Sequence, residues 1–258
     1  MTDTKIIAHR GANFFAPQNT IPAFEKAIQL KTDGFETDIH LTKDGIPVLC
    51  HNYTINATSN GKGNISDYTY EELLSYDFGG YFSPAYEGTK IPTVEEFLEL
   101  FKAADLEILN IEIKSPKDPK EYNIVEATID LTKKYGLFDK LLISSFNPEL
   151  LVRAKEYDSD CKTGILYSPN KKWAWPFILD PIKSALEIKA DALHPHEMFV
   201  SREYVERAHA NGLIVNPWTV NEAKNIEKLL DYGTDGIITN HVDLVNHIKA
   251  VRKEKYEK

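Results

Sequence analysis

Residues 5–41 read KIIAHRGANFFAPQNTIPAFEKAIQLKTDGFETDIHL. A short apolar run at 5–8 gives way to a polar loop, then to a segment in which Ile21, Phe24, Ala27 and Ile28 recur at helical spacing. Asn19-Thr20 offers that helix an N-cap, and Pro22 falls in the first turn, where proline is tolerated. A second apolar run, 34–39, follows. Strands that are largely apolar on both faces need cover on both sides. A strand, helix, strand order supplies it through parallel pairing with a right-handed crossover.

The same alternation continues to the end of the chain. Strand candidates lie at 5–8, 34–39, 106–113, 140–144, 162–166, 190–193, 213–217 and 236–238, each followed by a helix candidate. Eight such units close into an α/β fold of the (β/α)8 TIM-barrel kind, with a doubly wound open sheet as the alternative. Residues 48–98 break the rhythm. They are rich in Tyr, Gly, Asn and Ser (YTINATSNGKGN, FGGYFSPAYEG), which predicts a small loop-rich insertion after the second strand rather than a second core. A helix at 93–103 then restores the pattern. One barrel domain spanning residues 1–258 is expected, since single barrels run to about 250 residues.

Composition narrows the partners. With 30 Lys+Arg against 39 Asp+Glu the net charge is −9. Nucleic acid and anionic membrane surfaces are thereby disfavoured, because both need a basic footprint, and an anionic substrate requires a local cationic site. Cys50 and Cys161 cannot form a disulfide framework, and the start MTDTKIIAHRG lacks the pattern of a secretory leader. No window approaches the roughly 18 apolar residues of a membrane span. A cytoplasmic protein without stable membrane insertion is expected.

Barrel enzymes place chemistry where strands end. Here the first strand ends in His9-Arg10, the second carries Glu36 and Asp38, the third ends with Glu112 and Lys114, the seventh with Trp218, and a hairpin after the second strand delivers His51. Residues two apart on a strand share a face, so Glu36 and Asp38 point the same way, as do Glu112 and Lys114. Three carboxylates in one pocket repel unless a proton or cation lies between them, and all-oxygen ligation suits a hard divalent ion, Mg²⁺ or Ca²⁺. Three unrelated surface acids are the competing reading. His9 and His51 have the side chain whose ordinary pKa, about 6.5, suits paired general acid and base work. His40 shares the Glu36 and Asp38 face and is expected at the rim, whereas His209 and His247, on helix candidates, are expected as satisfied core residues.

The strings HRGANFFAPQNTIPAFEKAI and GFETDIHLTKDGIPVLCHN resemble the glycerophosphodiester phosphodiesterase family. The resemblance continues through TSNGKGNISDYTYEELLSYDFGGYFSPAYEG, IPTVEEFLEL, LNIEIK, ISSFNPELL, NPWTVNE and DGIITN, and so covers nearly the whole chain. It implies that His9 and His51 are the catalytic acid/base pair and that Glu36, Asp38 and Glu112 hold a divalent metal. It further implies that Arg10 and Lys114 bind the phosphate, that Trp218 lines the substrate pocket, and that the insertion after the second strand is usual. Departures from the family pattern are Gln18 for Glu, Asn52 for Asp, Ala57 for Arg and Asn240 for Asp. Three of the four replace an acid by an amide, which removes negative charge near a cation site.

The expected activity is metal-dependent hydrolysis of glycerophosphodiesters, such as glycerophosphocholine or glycerophosphoethanolamine, to glycerol 3-phosphate and an alcohol. His9 is expected as base and His51 as acid, with the resemblance implying attack by the substrate's own glycerol hydroxyl. Two alternatives stand beside it. Basic and aromatic residues cluster in KKWAWPF, 171–177, which would admit an acyl chain and make the protein a lysophospholipase D. Gln18 and Asn52 motivate a barrel that binds glycerophosphodiesters without hydrolysing them. No GxSxG elbow, P-loop or Cys/His zinc spacing occurs, and Cys50 faces away from His51.

Overall fold

The computed structural model describes residues 4–116, 119–169 and 179–256. Its first unit is strand β1 (Lys5–His9), helix α1 (Ile21–Gln29) and strand β2 (Gly34–Leu41). Thr20 occupies the N-cap of α1 and Pro22 its first turn. The cap itself differs from expectation, since Thr20 Oγ1 donates to Pro17 O (2.5 Å) and the Asn19 side chain turns elsewhere. A short strand β3 (Pro47–Leu49) pairs antiparallel with β2, helix α2 (Tyr70–Leu73) lies in the insertion, and α3 (Val94–Ala104) resumes the alternation. There follow β4 (Ile108–Ile113), α4 (Ile124–Tyr135), β5 (Leu141–Ser145), α5 (Pro148–Tyr157), β6 (Lys162–Tyr167), α6 (Pro181–Glu187), β7 (Ala192–Pro195), α7 (Arg202–Ala210), β8 (Ile214–Val215), α8 (Ala223–Tyr232), β9 (Gly236–Thr239) and α9 (Val242–Tyr256).

Leaving out β3, the strands pair in parallel in the order β8-β7-β6-β5-β4-β2-β1-β9. Single backbone bonds cross the remaining seam. Asp235 N–H donates to Val215 O (3.1 Å), Ile238 N–H to Pro217 O (3.0 Å) and Val220 N–H to Ile238 O (3.0 Å), so eight parallel strands form a nearly closed TIM barrel. Strand ends shift by a residue or two from the sequence reading. The third begins at Ile108 because Asp105, in left-handed backbone (φ 50), ends α3 and the amides of Glu107 and Ile108 turn to Asp33 O. The seventh shortens to Ile214–Val215, because Pro217 has no N–H to give the ladder.

The core lies between barrel and helices. Phe24 of α1, Phe35 of β2, and Phe97 and Phe101 of α3 form one aromatic cluster, with Phe24 4.9 Å from Phe35 and 4.6 Å from Phe97, centroid to centroid. Phe35 thus faces the helices, and strand alternation turns Glu36 and Asp38 to the barrel interior. The insertion corrects one expectation. It buries a cluster of its own, Val48, Cys50, Ile55, Ile65, Leu73, Phe78 and Ile91, beneath turns that looked too polar to need one. His209 and His247 are a second correction. Both are exposed, His209 bonding Asp235 (2.8 Å), because the buried stripes of α7 and α9 run through Val205 and Ala208 and through Val242, Val245 and Ile248. No helix among the described residues is long and apolar enough to cross a membrane.

Candidate active site

Immediately after β1 the chain turns through two left-handed residues, Arg10 (φ 57) and Gly11 (φ 78). Glycine is required at the second, where a Cβ would lie 2.6 Å from the carbonyl carbon of Ala23 in α1. The turn lets Arg10 N–H donate to Glu36 O (2.8 Å) and brings the guanidinium over β2. Arg10 Nε is 3.1 Å from Asp38 Oδ2, and Nη1 donates to Gln18 Oε1 (2.7 Å).

Strand register sets the rest. His9 is level with Glu36, and Asp38 is level with Glu112. Asp38, fully buried, accepts from Asn19 Nδ2 at Oδ2 (2.9 Å) and meets Lys114 Nζ at Oδ1 (2.6 Å). Lys114 Nζ also donates to Glu112 Oε1 (2.5 Å). Burial works to raise the Asp38 pKa, but the Lys114 and Arg10 charges outweigh it and hold the carboxyl well below its usual range. Glu36 goes the other way, pushed well above its usual range by burial and by the Asp38 and Glu112 charges. Burial takes Glu112 up to about 7 against the pull of Lys114. The Lys114 ammonium is raised despite its burial, because Asp38 and Glu112 favour its charge.

With all three ionised, the carboxylates outnumber the two cations by one negative charge, and among the described residues Arg10 and Lys114 form their ion pairs with Asp38 and Glu112 and not with Glu36. One oxygen from each of Glu36, Asp38 and Glu112 lies within 4.8 Å of the others. Closely spaced buried oxygens with surplus negative charge fit a hard divalent cation.

The hairpin through β3 carries His51 across from this cluster, its end pinned where Cys50 N–H donates to Asp38 O (2.9 Å). His51 Nδ1 lies 2.8 Å from Asn52 Oδ1, and His9 Nδ1 lies 2.6 Å from Asn240 Oδ1. His9 Nε2 is 3.9 Å from Glu36 Oε2. Burial, with Arg10 adding to it, lowers the His9 pKa to about 3, and burial lowers that of His51 to about 4. Both rings are therefore neutral near pH 7. His40 is nearly buried at the end of β2, its Nε2 3.4 Å from His51 O, and lines a separate small cavity of about 100 Å³ with Tyr53, Lys114 and Glu121. Cys50 sinks into the insertion's cluster, away from His51, and burial pushes its thiol up to about 11.

His9, Arg10, Glu36, His51, Glu112, Lys114 and Trp218 wall one cavity of about 990 Å³ at the strand ends. Asp38 stands behind that wall, held between Arg10 and Lys114. Trp218 Nε1 donates to His194 O (2.7 Å), and the ring stands edge-on to Phe146 (5.5 Å) and His196 (5.7 Å). The cluster 171–177 lies outside the described residues. Sequence reading missed Asn19 as the residue that holds Asp38. An Asn in a tight loop, among the few residues at ease with positive φ (here 56), was the available signal. Phe146 was also missed, with no signal beyond its place after a strand.

The family model described as the glycerophosphoryl diester phosphodiesterase family matches residues 9–244. The glycerophosphodiester phosphodiesterase of Caldanaerobacter subterraneus subsp. tengcongensis is 38% identical over 250 residues, covering 97% of this chain and 98% of that protein. The Bacillus altitudinis enzyme of the same name is 33% identical, covering 97% and 100%. An Oleispira antarctica phosphodiesterase, solved in complex with the product sn-glycerol-3-phosphate, superposes with a TM-score of 0.85 at 28% identity, covering 95% of this chain and 96% of that one.

Proposed function

Because the chain belongs to the glycerophosphoryl diester phosphodiesterase family, whose members are phosphoric diester hydrolases, we propose that its cavity hydrolyses glycerophosphodiesters, such as glycerophosphocholine or glycerophosphoethanolamine, to glycerol 3-phosphate and an alcohol. The observation that carries this reading is the register of three neighbouring strands, which sets His9 beside Glu36 and Asp38 beside Glu112, with Arg10 and Lys114 between them and His51 opposite. The product bound by the Oleispira antarctica enzyme agrees with it.

Glu36, Asp38 and Glu112 would hold one divalent cation, Mg²⁺ or Ca²⁺. When bound, it supplies Lewis-acid charge that offsets the phosphodiester's negative charge. The chain's own groups do the rest. Arg10 and Lys114 attract the phosphate anion, and their pairing with Asp38 fixes where those charges sit. A neutral His9 accepts a proton from the substrate's own glycerol hydroxyl as that oxygen attacks phosphorus, which expels the alcohol and leaves a cyclic glycerol phosphate. His51, which takes up a proton from solvent as the phosphate anion beside it raises its proton affinity, gives that proton to the departing alcohol. Water then opens the cyclic phosphate to glycerol 3-phosphate, with His51 accepting the water's proton and His9 returning the one it took. Trp218 walls the space into which the organic groups extend. We place the activity in the cytoplasm, in agreement with two buried unpaired cysteines, and in one barrel domain spanning residues 1–258.

Release of glycerol 3-phosphate from both substrates, measured with Mg²⁺, with Ca²⁺ and with chelator, tests the reading. Metal-dependent release that is lost in Glu36→Ala supports it. A folded protein that releases nothing with either ion refutes it.

A further inference from the structure

Three amide oxygens accept from groups that wall the cavity. Gln18 Oε1 takes the Arg10 Nη1 hydrogen bond (2.7 Å), Asn240 Oδ1 lies 2.6 Å from His9 Nδ1, and Asn52 Oδ1 lies 2.8 Å from His51 Nδ1. An amide oxygen only accepts, so each short contact to a ring nitrogen requires the hydrogen to be on Nδ1. A neutral imidazole has a single N–H. Placing it on Nδ1 leaves Nε2 with its lone pair, and in His9 that nitrogen is on the Glu36 side of the ring.

We propose that Asn240 and Asn52 are positioning residues that lock His9 and His51 as Nδ1–H tautomers and present both Nε2 atoms to the reacting group, while Gln18 orients the Arg10 guanidinium. Only the identity of the reacting group rests on the function proposed above. The Asn240 side chain is itself placed by its neighbours. Its backbone N–H donates to Asn221 Oδ1 (3.0 Å), which also takes the Thr239 hydroxyl (3.4 Å). Asn13 Nδ2, a donor, also approaches His9 Nδ1, at the longer distance of 3.4 Å. Asn52 follows His51 directly and moves with it at the end of the hairpin.

Charge explains why amides serve here. A carboxylate at any of the three positions would accept the same hydrogen bond. It would also add negative charge to a buried pocket in which three carboxylates already face two cations, and like charges at low dielectric repel strongly. The amide sets orientation and tautomer and leaves that balance unchanged.

Long-range ¹H–¹⁵N correlation spectra of the histidine rings, recorded on ¹⁵N-labelled full-length protein with chelator and then with Mg²⁺, test the proposal. Assignments come from the signals lost in His9→Gln and His51→Gln. Both rings are expected as Nδ1–H tautomers in the wild type. Asn240→Ala should shift only His9, and Asn52→Ala only His51, towards Nε2–H, whereas Asn240→Asp should keep His9 protonated at Nδ1. Each alanine variant should lower kcat on the order of 10- to 100-fold, the scale of lost orienting partners, with KM little changed, while Gln18→Ala should act mainly on KM. Nε2–H at either ring of the wild type overturns the proposal without any variant having to fold. Unchanged tautomer and kcat in both folded alanine variants also overturn it. The spectra need no turnover, so an inactive wild type with both rings at Nδ1–H would refute the proposed substrate and leave the tautomer assignment standing.

Discussion

Asp38 and Glu112 occupy matched positions on adjacent parallel strands, and Lys114, two residues beyond Glu112, bridges them with Nζ 2.6 Å from Asp38 Oδ1 and 2.5 Å from Glu112 Oε1. This ammonium, with the Arg10 guanidinium on the other oxygen of Asp38, makes two buried carboxylates tolerable.

Lys114→Met should be costly where no metal is present. Removing one partner of a buried charge cluster leaves the rest uncompensated, at about 3–5 kcal/mol. Thermal melts in chelator should show a large drop in Tm, partly reversed by Mg²⁺. A metal-free variant as stable as the wild type would show that the bridge contributes nothing.

A divalent ion that binds only the folded protein stabilises it by mass action, by about 2.7 kcal/mol at 100 times its Kd. Mg²⁺ or Ca²⁺ should therefore raise the wild-type Tm, and Glu36→Gln should abolish the rise. An identical shift in the variant would place the ion away from Glu36.

His9→Ala and His51→Ala should each lower kcat by roughly 10²- to 10⁴-fold, the range for lost general acid or base catalysis, with circular dichroism unchanged. Either enzyme turning over at the wild-type rate would remove that residue from the mechanism.

Gly11→Ala forces a Cβ into a left-handed residue and against the Ala23 backbone at 2.6 Å. Urea unfolding should show a loss of about 1–3 kcal/mol or more. Since Gly11 sets the turn that aims Arg10, KM for the phosphodiester should rise as well. Wild-type stability and KM would mean that the turn is not constrained as described.

Phe24→Ala opens the aromatic cluster beneath the site and should cost about 3–5 kcal/mol in urea unfolding. A loss below 1 kcal/mol would mean that the packing of α1 on β2 and α3 does not depend on this ring.

Much of this protein is written in local periodicity. Ile21, Phe24 and Ala27 mark a helix through spacing alone, and alternation in GFETDIH puts Glu36 and Asp38 on one face without knowledge of any other strand. The order of strands and helices announces the barrel, because a parallel strand buried on both sides admits few other arrangements. Partners distant along the chain are different. Asn240 is 231 residues from the His9 ring it meets, and Asn19 holds an aspartate on another element although its own neighbours mark it as a helix cap. The apolar cluster of the insertion and the outward faces of His209 and His247 likewise depend on what packs against them. Periodicity sets the face on which a side chain stands. Which groups meet there depends on strand register and on closure of the barrel, and these arise only when the whole chain is folded.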